Sequence, residues 1–155
     1  MIPFSFAYVR PESIPEAVSL LQRDGAVALA GGHSLMTELK HRLRREDLLV
    51  DLNALPLTGI VSDARGMTID ALVRQDTLLE AARGGPLSLL TDVGEASGDP
   101  SIRARGTFVG ALCAANPQGD WTAAALALDA RLHIKNSNGE STADYGQRLD
   151  RRSVV

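Results

Sequence analysis

At 155 residues the chain supports one domain, in one lobe or two, with a core of useful size. Hydrophobic residues at 45% and charged residues at 23% argue against disorder, and a formal net charge of −3 supplies no global pull toward nucleic acid. The single cysteine, Cys113, excludes an internal disulfide framework and any iron–sulfur cluster held by this chain alone.

The opening residues Met1 to Ser5 lack a basic n-region and a long apolar h-region, and no apolar stretch approaches membrane-spanning length, so the expectation is a cytoplasmic protein. The first lobe is read as residues 1–56. It begins with a short strand around Ser5–Val9. Ala17, Leu20 and Leu21 then give helical spacing from Ser13 to about Gln22, with Ser13 as cap and Glu16 three residues on, the pattern of a capping box. A strand at Ala26–Ala30, a helix at Ser34–Leu43 and a strand at Leu48–Leu52 follow. Strand and helix alternating at this spacing predict a small, mostly parallel sheet with right-handed crossovers. The basic run Lys40, His41, Arg42, Arg44 and Arg45 falls at a helix end, where cations complement the dipole.

The second lobe, 57–155, opens with a strand pair at Gly59–Val61 and Met67–Asp70 around the turn Asp63-Ala64-Arg65-Gly66. Helices at Thr77–Ala82 and Pro86–Ala96 are separated by the breaker Gly84-Gly85. Asp99 and Pro100 mark a turn, an apolar strand is expected near Phe108–Leu112, and a helix opens at Asp120 or Thr122 and runs to Ala130. Arg131–Lys135 and Glu140–Thr142 read as a hairpin around Asn136–Gly139. The fold class is therefore α+β, a small mostly parallel lobe followed by a mixed or antiparallel lobe with helices, and a cleft between them.

The densest chemical signal lies at Leu29-Ala30-Gly31-Gly32-His33-Ser34-Leu35, where an apolar strand turns through two glycines into a helix. Gly31 and Gly32 permit positive φ and close approach of a ligand, and Ser34 is a good N-cap residue. Amides at such a turn, aided by the helix dipole, favour an anion such as a phosphate. A tight turn with a capping serine explains the same residues without a ligand. Elsewhere, His41 and His133 lack metal-ligand spacing with each other or with Cys113, which sits in an apolar run and reads as a buried, inert thiol. No nucleophile–base pair is visible. Trp121 reads as a packing residue. Arg103 and Arg105 are candidates for phosphate contact or for structural ion pairs.

A second segment, running from Gly98 to Asp120, gives the first a context. Gly98-Asp99-Pro100-Ser101-Ile102-Arg103-Ala104-Arg105-Gly106-Thr107-Phe108-Val109-Gly110-Ala111 and the Ala30–Leu35 loop together resemble the FAD-binding subunit or domain of molybdenum hydroxylases, of the p-cresol methylhydroxylase-type FAD fold. Phe6 to Pro11, Ser13 to Ala17, Leu49 to Asn53 and Ile69 to Arg74 match further family segments in the same order, so the resemblance covers nearly the whole chain. It implies that the loop Ala30, Gly31, Gly32, His33, Ser34, Leu35 and the loop Thr107, Phe108, Val109, Gly110, Ala111 grip an FAD pyrophosphate. An acidic residue in the place of Asp120 contacts the adenosine part in that family, and Asp120 is carried over on that basis. It also implies electron transfer from iron–sulfur clusters of a partner through flavin to an acceptor, with iron–sulfur and molybdenum-cofactor subunits as partners, while the charge and the short apolar runs call for no nucleic acid or membrane.

Two departures stand out. The second family loop usually reads Thr-x-Gly-Gly-Asn, whereas here Val109 replaces a glycine and Ala111 an asparagine. Val109 is expected to resist positive φ and crowd a phosphate, and Ala111 removes a side-chain donor. The chain also stops at Val155, short of the family's closing strand and C-terminal domain. The unpaired edge this implies invites a dimer or another partner, unless Arg148, Asp150, Arg151 and Arg152 blunt it by charge. A flavin-free module of the same fold, acting in assembly or binding, is the alternative of a different class.

Overall fold

The computed structural model describes residues 2–147. The tail from 148 onward, with the charges expected to shield an edge, lies outside the described residues.

Strands β1 (Ala7–Val9), β2 (Ala26–Leu29) and β3 (Leu48–Asp51) form a parallel sheet in the order β1-β3-β2. Ala7 and Ala26 both stand level with Leu48, and Leu29 stands level with Asp51. Adjacent residues on a strand point to opposite faces, so burial of both Leu49 and Val50 means that the central strand is covered on each side. Helix α1 (Ile14–Leu21) lies between β1 and β2 and places Ala17 in a core with Val50, Leu55 and Leu72. Its cap is the expected one: Ser13 Oγ accepts from the Glu16 amide at 3.3 Å, while the Glu16 carboxylate accepts from the Glu12 amide at 2.9 Å.

Helix α2 (His33–Lys40) ends three residues before the expected Leu43. Arg42 turns left-handed at φ 57°, its amide donating to Leu39 O while the Leu43 amide donates to Glu38 O, a Schellman-type stop. A left-handed arginine is unfavourable on its own. Its side chain offsets this by donating to the Ile2 carbonyl at 3.1 Å and lying 4.9 Å over the Phe4 ring, where Arg45 also stacks. Arg44 pairs with Glu38 and Glu46, so much of the basic run is engaged in local structure.

A 3₁₀ turn (Leu52–Ala54) leads to the antiparallel pair β4 (Ile60–Asp63) and β5 (Gly66–Ile69). Helices α3 (Gln75–Ala82), α4 (Leu89–Ala96), α5 (Pro100–Arg103), α6 (Phe108–Ala114) and α7 (Asp120–Ala127) follow. The second core gathers Leu78, Leu79, Leu90, Phe108, Leu112, Trp121 and Tyr145. Trp121 packs as expected, its ring edge-on to Phe108 with centroids 5.6 Å apart. The chain closes on the expected hairpin, β6 (Arg131–Asn136) against β7 (Gly139–Asp144). No helix among the described residues is long and apolar enough to cross a membrane.

Three further expectations are corrected. The apolar stretch Phe108–Leu112 is helix α6, not a strand: Thr107 Oγ1 caps it by accepting from the Gly110 amide at 3.1 Å, and a short apolar run has no period that separates the two states. The turn at Asp99-Pro100 is the start of a short helix, with Asp99 Oδ1 taking the Ser101 and Ile102 amides. Helix α7 stops at Ala127, before the expected Ala130, where Asp129 adopts φ 50°.

Candidate functional site

The loop after β2 meets the segment that leads into α6, which brings together the two loops singled out in the sequence. In the first loop the helix cap is Gly32, not Ser34. Gly32 sits at φ 80°, a left-handed conformation that most side chains avoid, and no side chain bonds the first-turn amides of α2. Ser34 is the second residue of that helix, exposed beside His33, with Leu35 half-buried. The first turn carries no acidic residue, so the amides and the dipole point at a surface that accepts negative charge.

In the second loop Arg105-Gly106-Thr107 runs past α3 and is fastened on both sides. The Gln75 amide donates to Gly106 O at 2.9 Å and the Phe108 amide to Val73 O at 3.2 Å. Thr107 is 2% exposed, its hydroxyl oxygen already committed as the α6 cap. Val109 and Ala111 are helical and pack against the second core. The backbone part of the expectation at Val109 is thereby corrected, since the position requires no positive φ.

Gly31 joins the loops. A Cβ added there would lie 2.5 Å from Arg105 O, 2.8 Å from Gly106 Cα and 2.9 Å from Thr107 N, all main-chain atoms. One at Gly110 would reach within 3.9 Å of the Ala30 Cβ. Ala30, Gly31, Thr107 and Gly110 are therefore brought together, with Gly32, His33 and Ser34 beside them. Asp120 is held elsewhere, at the start of α7, where its carboxylate accepts from Ser97 Oγ at 2.6 Å.

Sequence reasoning gave no role to a polar chain behind the loops. Tyr8 Oη donates to the Asp51 carboxylate at the end of β3, and Asp51 also accepts from the Asn53 amide at 3.0 Å. Burial pushes the Asp51 carboxyl up, but the bonds from Tyr8 and Asn53 together outweigh it and hold its pKa below the usual value. The same bond, with burial, raises the Tyr8 phenol and keeps it protonated. Asn53 continues the chain to Arg74. These residues lie too far apart in sequence for any spacing to have joined them; only Asp51-x-Asn53, a pair suited to a side-chain turn after a strand, carried a local signal.

Other candidates resolve into structure. Arg103 pairs with Asp76 at 3.1 Å and donates to the carbonyls of Ser97 and Gly98. Arg105 is exposed. Cys113 reaches the surface of α6, contrary to the buried thiol expected, although the protein crowded around it still pushes its pKa up and so disfavours the reactive thiolate. No grouping of histidine, cysteine and carboxylate suited to a metal occurs among the described residues.

Two glycine-bearing turns are thus seated on each other after a strand of a parallel sheet, beside a helix whose first-turn amides no side chain bonds, an arrangement open to an anion. Residues 4–151 match the family model described as the FAD binding domain in molybdopterin dehydrogenase, and the chain belongs to that family. It is 36% identical over 146 residues to the carbon monoxide dehydrogenase medium chain of Hydrogenophaga pseudoflava, covering 92% of this chain and 51% of the relative. Against the glyceraldehyde dehydrogenase medium chain of Sulfolobus acidocaldarius the identity is 34% over 142 residues, covering 90% and 50%. A solved carbon monoxide dehydrogenase of Hydrogenophaga pseudoflava superposes with a TM-score of 0.88 at 31% identity, covering 97% of this chain and 54% of that one. The chain thus spans about half the length of the relatives it matches. The α+β architecture is that of the family's FAD domain.

Proposed function

We propose that the chain binds FAD by its pyrophosphate at the seam between the two loops and serves as the flavin-carrying part of a molybdenum hydroxylase-type oxidoreductase. The seating of Gly31 on Arg105 O and Thr107 N carries this reading, because it sets the α2 amides next to the second loop with no side chain between them. The residues present suit a doubly charged pyrophosphate: uncapped amides at His33, Ser34 and Leu35, an exposed Ser34 hydroxyl and no carboxylate in the first turn of α2. Asp120, carried over from the family, would contact the adenosine end, and its bond to Ser97 fixes its direction. Bound flavin supplies the redox chemistry, accepting electrons and releasing them to an acceptor. The chain's own residues bind and orient it. With one cysteine the chain cannot hold a cluster, so iron–sulfur and molybdenum-cofactor subunits are its proposed partners. The lobes at 1–56 and 57–155 would act as the two jaws of one FAD domain.

The departures at Val109 and Ala111 no longer favour a flavin-free module strongly, because both side chains pack against the second core. What remains lost is the side-chain donor at Ala111.

Gly32→Val tests the loop. Valine at φ 80° is strained, and its side chain starts against Leu29 Cδ1 and Met36 Cγ, 3.2 and 3.3 Å from the added Cβ. Calorimetric titration should show FAD binding abolished in this variant. Affinity equal to the parent would remove the Gly31–Ser34 backbone from the site.

A further inference from the structure

The two loops are tied together from behind by a pair of side chains that neither loop supplies. Asn53, half-buried in the 3₁₀ turn after β3, donates its Nδ2 to the Ala30 carbonyl at 2.9 Å and to the Asp51 carboxylate. Its Oδ1 accepts from Arg74 Nη2 at 2.6 Å, and Arg74 Nη1 donates to the carbonyl of Arg105. That carbonyl oxygen is the atom nearest to Gly31's open side. A continuous strut therefore runs from the last residue before the first glycine turn to the first residue of the second loop. Its foot is fixed in the sheet, because Asp51 is 8% exposed and itself held by Tyr8.

We infer that Asn53 and Arg74 are positioning residues for the cofactor, setting the register of the two loops before FAD arrives; this rests on the FAD reading above. The chemistry favours these residue types. Asparagine is both donor and acceptor, so it can hold a carbonyl and a guanidinium at once. Arginine presents a fixed planar fork whose nitrogens reach two separate acceptors, whereas a lysine's ammonium is a compact point charge whose three donors have no such fixed spread. The fork also leaves a permanent positive charge close behind loops that would receive a dianion. A seam assembled in advance spares ordering on binding, so the strut should act on ligand affinity more than on global stability.

The test uses the full chain with Arg74→Met, Arg74→Lys and, as a stability control that makes none of the strut's bonds, Leu90→Ala in the second core. Thermal unfolding by circular dichroism, amide hydrogen exchange without ligand, and titration with FAD and with ADP, which shares the pyrophosphate, are measured on each. Arg74→Met should weaken FAD and ADP alike by about tenfold to a hundredfold, the loss of charge-assisted bonds, with Arg74→Lys in between. Exchange at residues 31–35 and 106–107 should quicken in Arg74→Met and stay at the parent rate in Leu90→Ala, even where Leu90→Ala unfolds at the lower temperature. Unchanged loop exchange and unchanged affinity in Arg74→Met would overturn the strut. Quickened loop exchange in a protein whose parent form binds neither FAD nor ADP would uphold the strut and refute the FAD reading.

Discussion

Gly31→Ala should cost about 2–3 kcal/mol of stability and abolish FAD binding, although it adds only one methyl group. The atoms that methyl would meet are Arg105 O, Gly106 Cα and Thr107 N, at 2.5, 2.8 and 2.9 Å, and none of them can rotate away as a side chain would. Relief requires the loops to part, which moves the α2 amides away from Thr107 and breaks the seam. Gly85→Ala is the matching control. Its nearest neighbour would be Ala82 O at 3.6 Å, an ordinary contact, so this variant should be neutral or more stable by about 0.4–1 kcal/mol through a less flexible unfolded chain. Denaturant unfolding and FAD titration of both variants read the two effects. A Gly31→Ala protein as stable as its parent would mean that the loops do not touch.

Trp121→Ala should produce the largest loss of stability, about 3–5 kcal/mol, a substantial share of the ~5–15 kcal/mol that holds a typical domain together. Trp121 is 5% exposed and meets the Phe108 ring edge-on, and Phe108 is the first residue of α6. Emptying that space loosens the helix whose cap fixes the second loop. Because Trp121 is the chain's single tryptophan, unfolding is followed by circular dichroism instead of fluorescence. Trp121→Phe keeps an aromatic neighbour and should lose less than Trp121→Ala. Equal stability of Trp121→Ala and the parent would place this ring outside the core.

Elements with a local signature were legible in the sequence. The Ser13 cap with Glu16, the β2 turn through Gly31-Gly32 and the Asn136–Gly139 hairpin each announce themselves within a few residues, and all three are found. The apolar run of α6 fits strand and helix equally, and the deciding bond, donated by the Gly110 amide to Thr107 Oγ1, exists only once the chain has turned. Serine is the better capping type in general, which points to Ser34, whereas the left-handed turn at Gly32 takes the cap position one residue before the helix begins. Both loops of the site were visible as glycine-bearing segments, and the structure brings Ala30, Gly31, Thr107 and Gly110 together. The strut was not visible. Asn53 and Arg74 belong to separate elements, and nothing in the spacing of an asparagine and an arginine announces that they share a hydrogen bond.

Titration of the chain with FAD, ADP and FMN tests the clamp most directly, because FAD and ADP carry the pyrophosphate proposed for the two loops and the adenosine proposed for Asp120, and FMN carries neither. One FAD should bind per chain, ADP should compete for the same site, and FMN should bind at least about tenfold more weakly, the worth of one or more charge-assisted bonds to the pyrophosphate. FMN binding as tightly as FAD, or no FAD binding at all, would contradict the account.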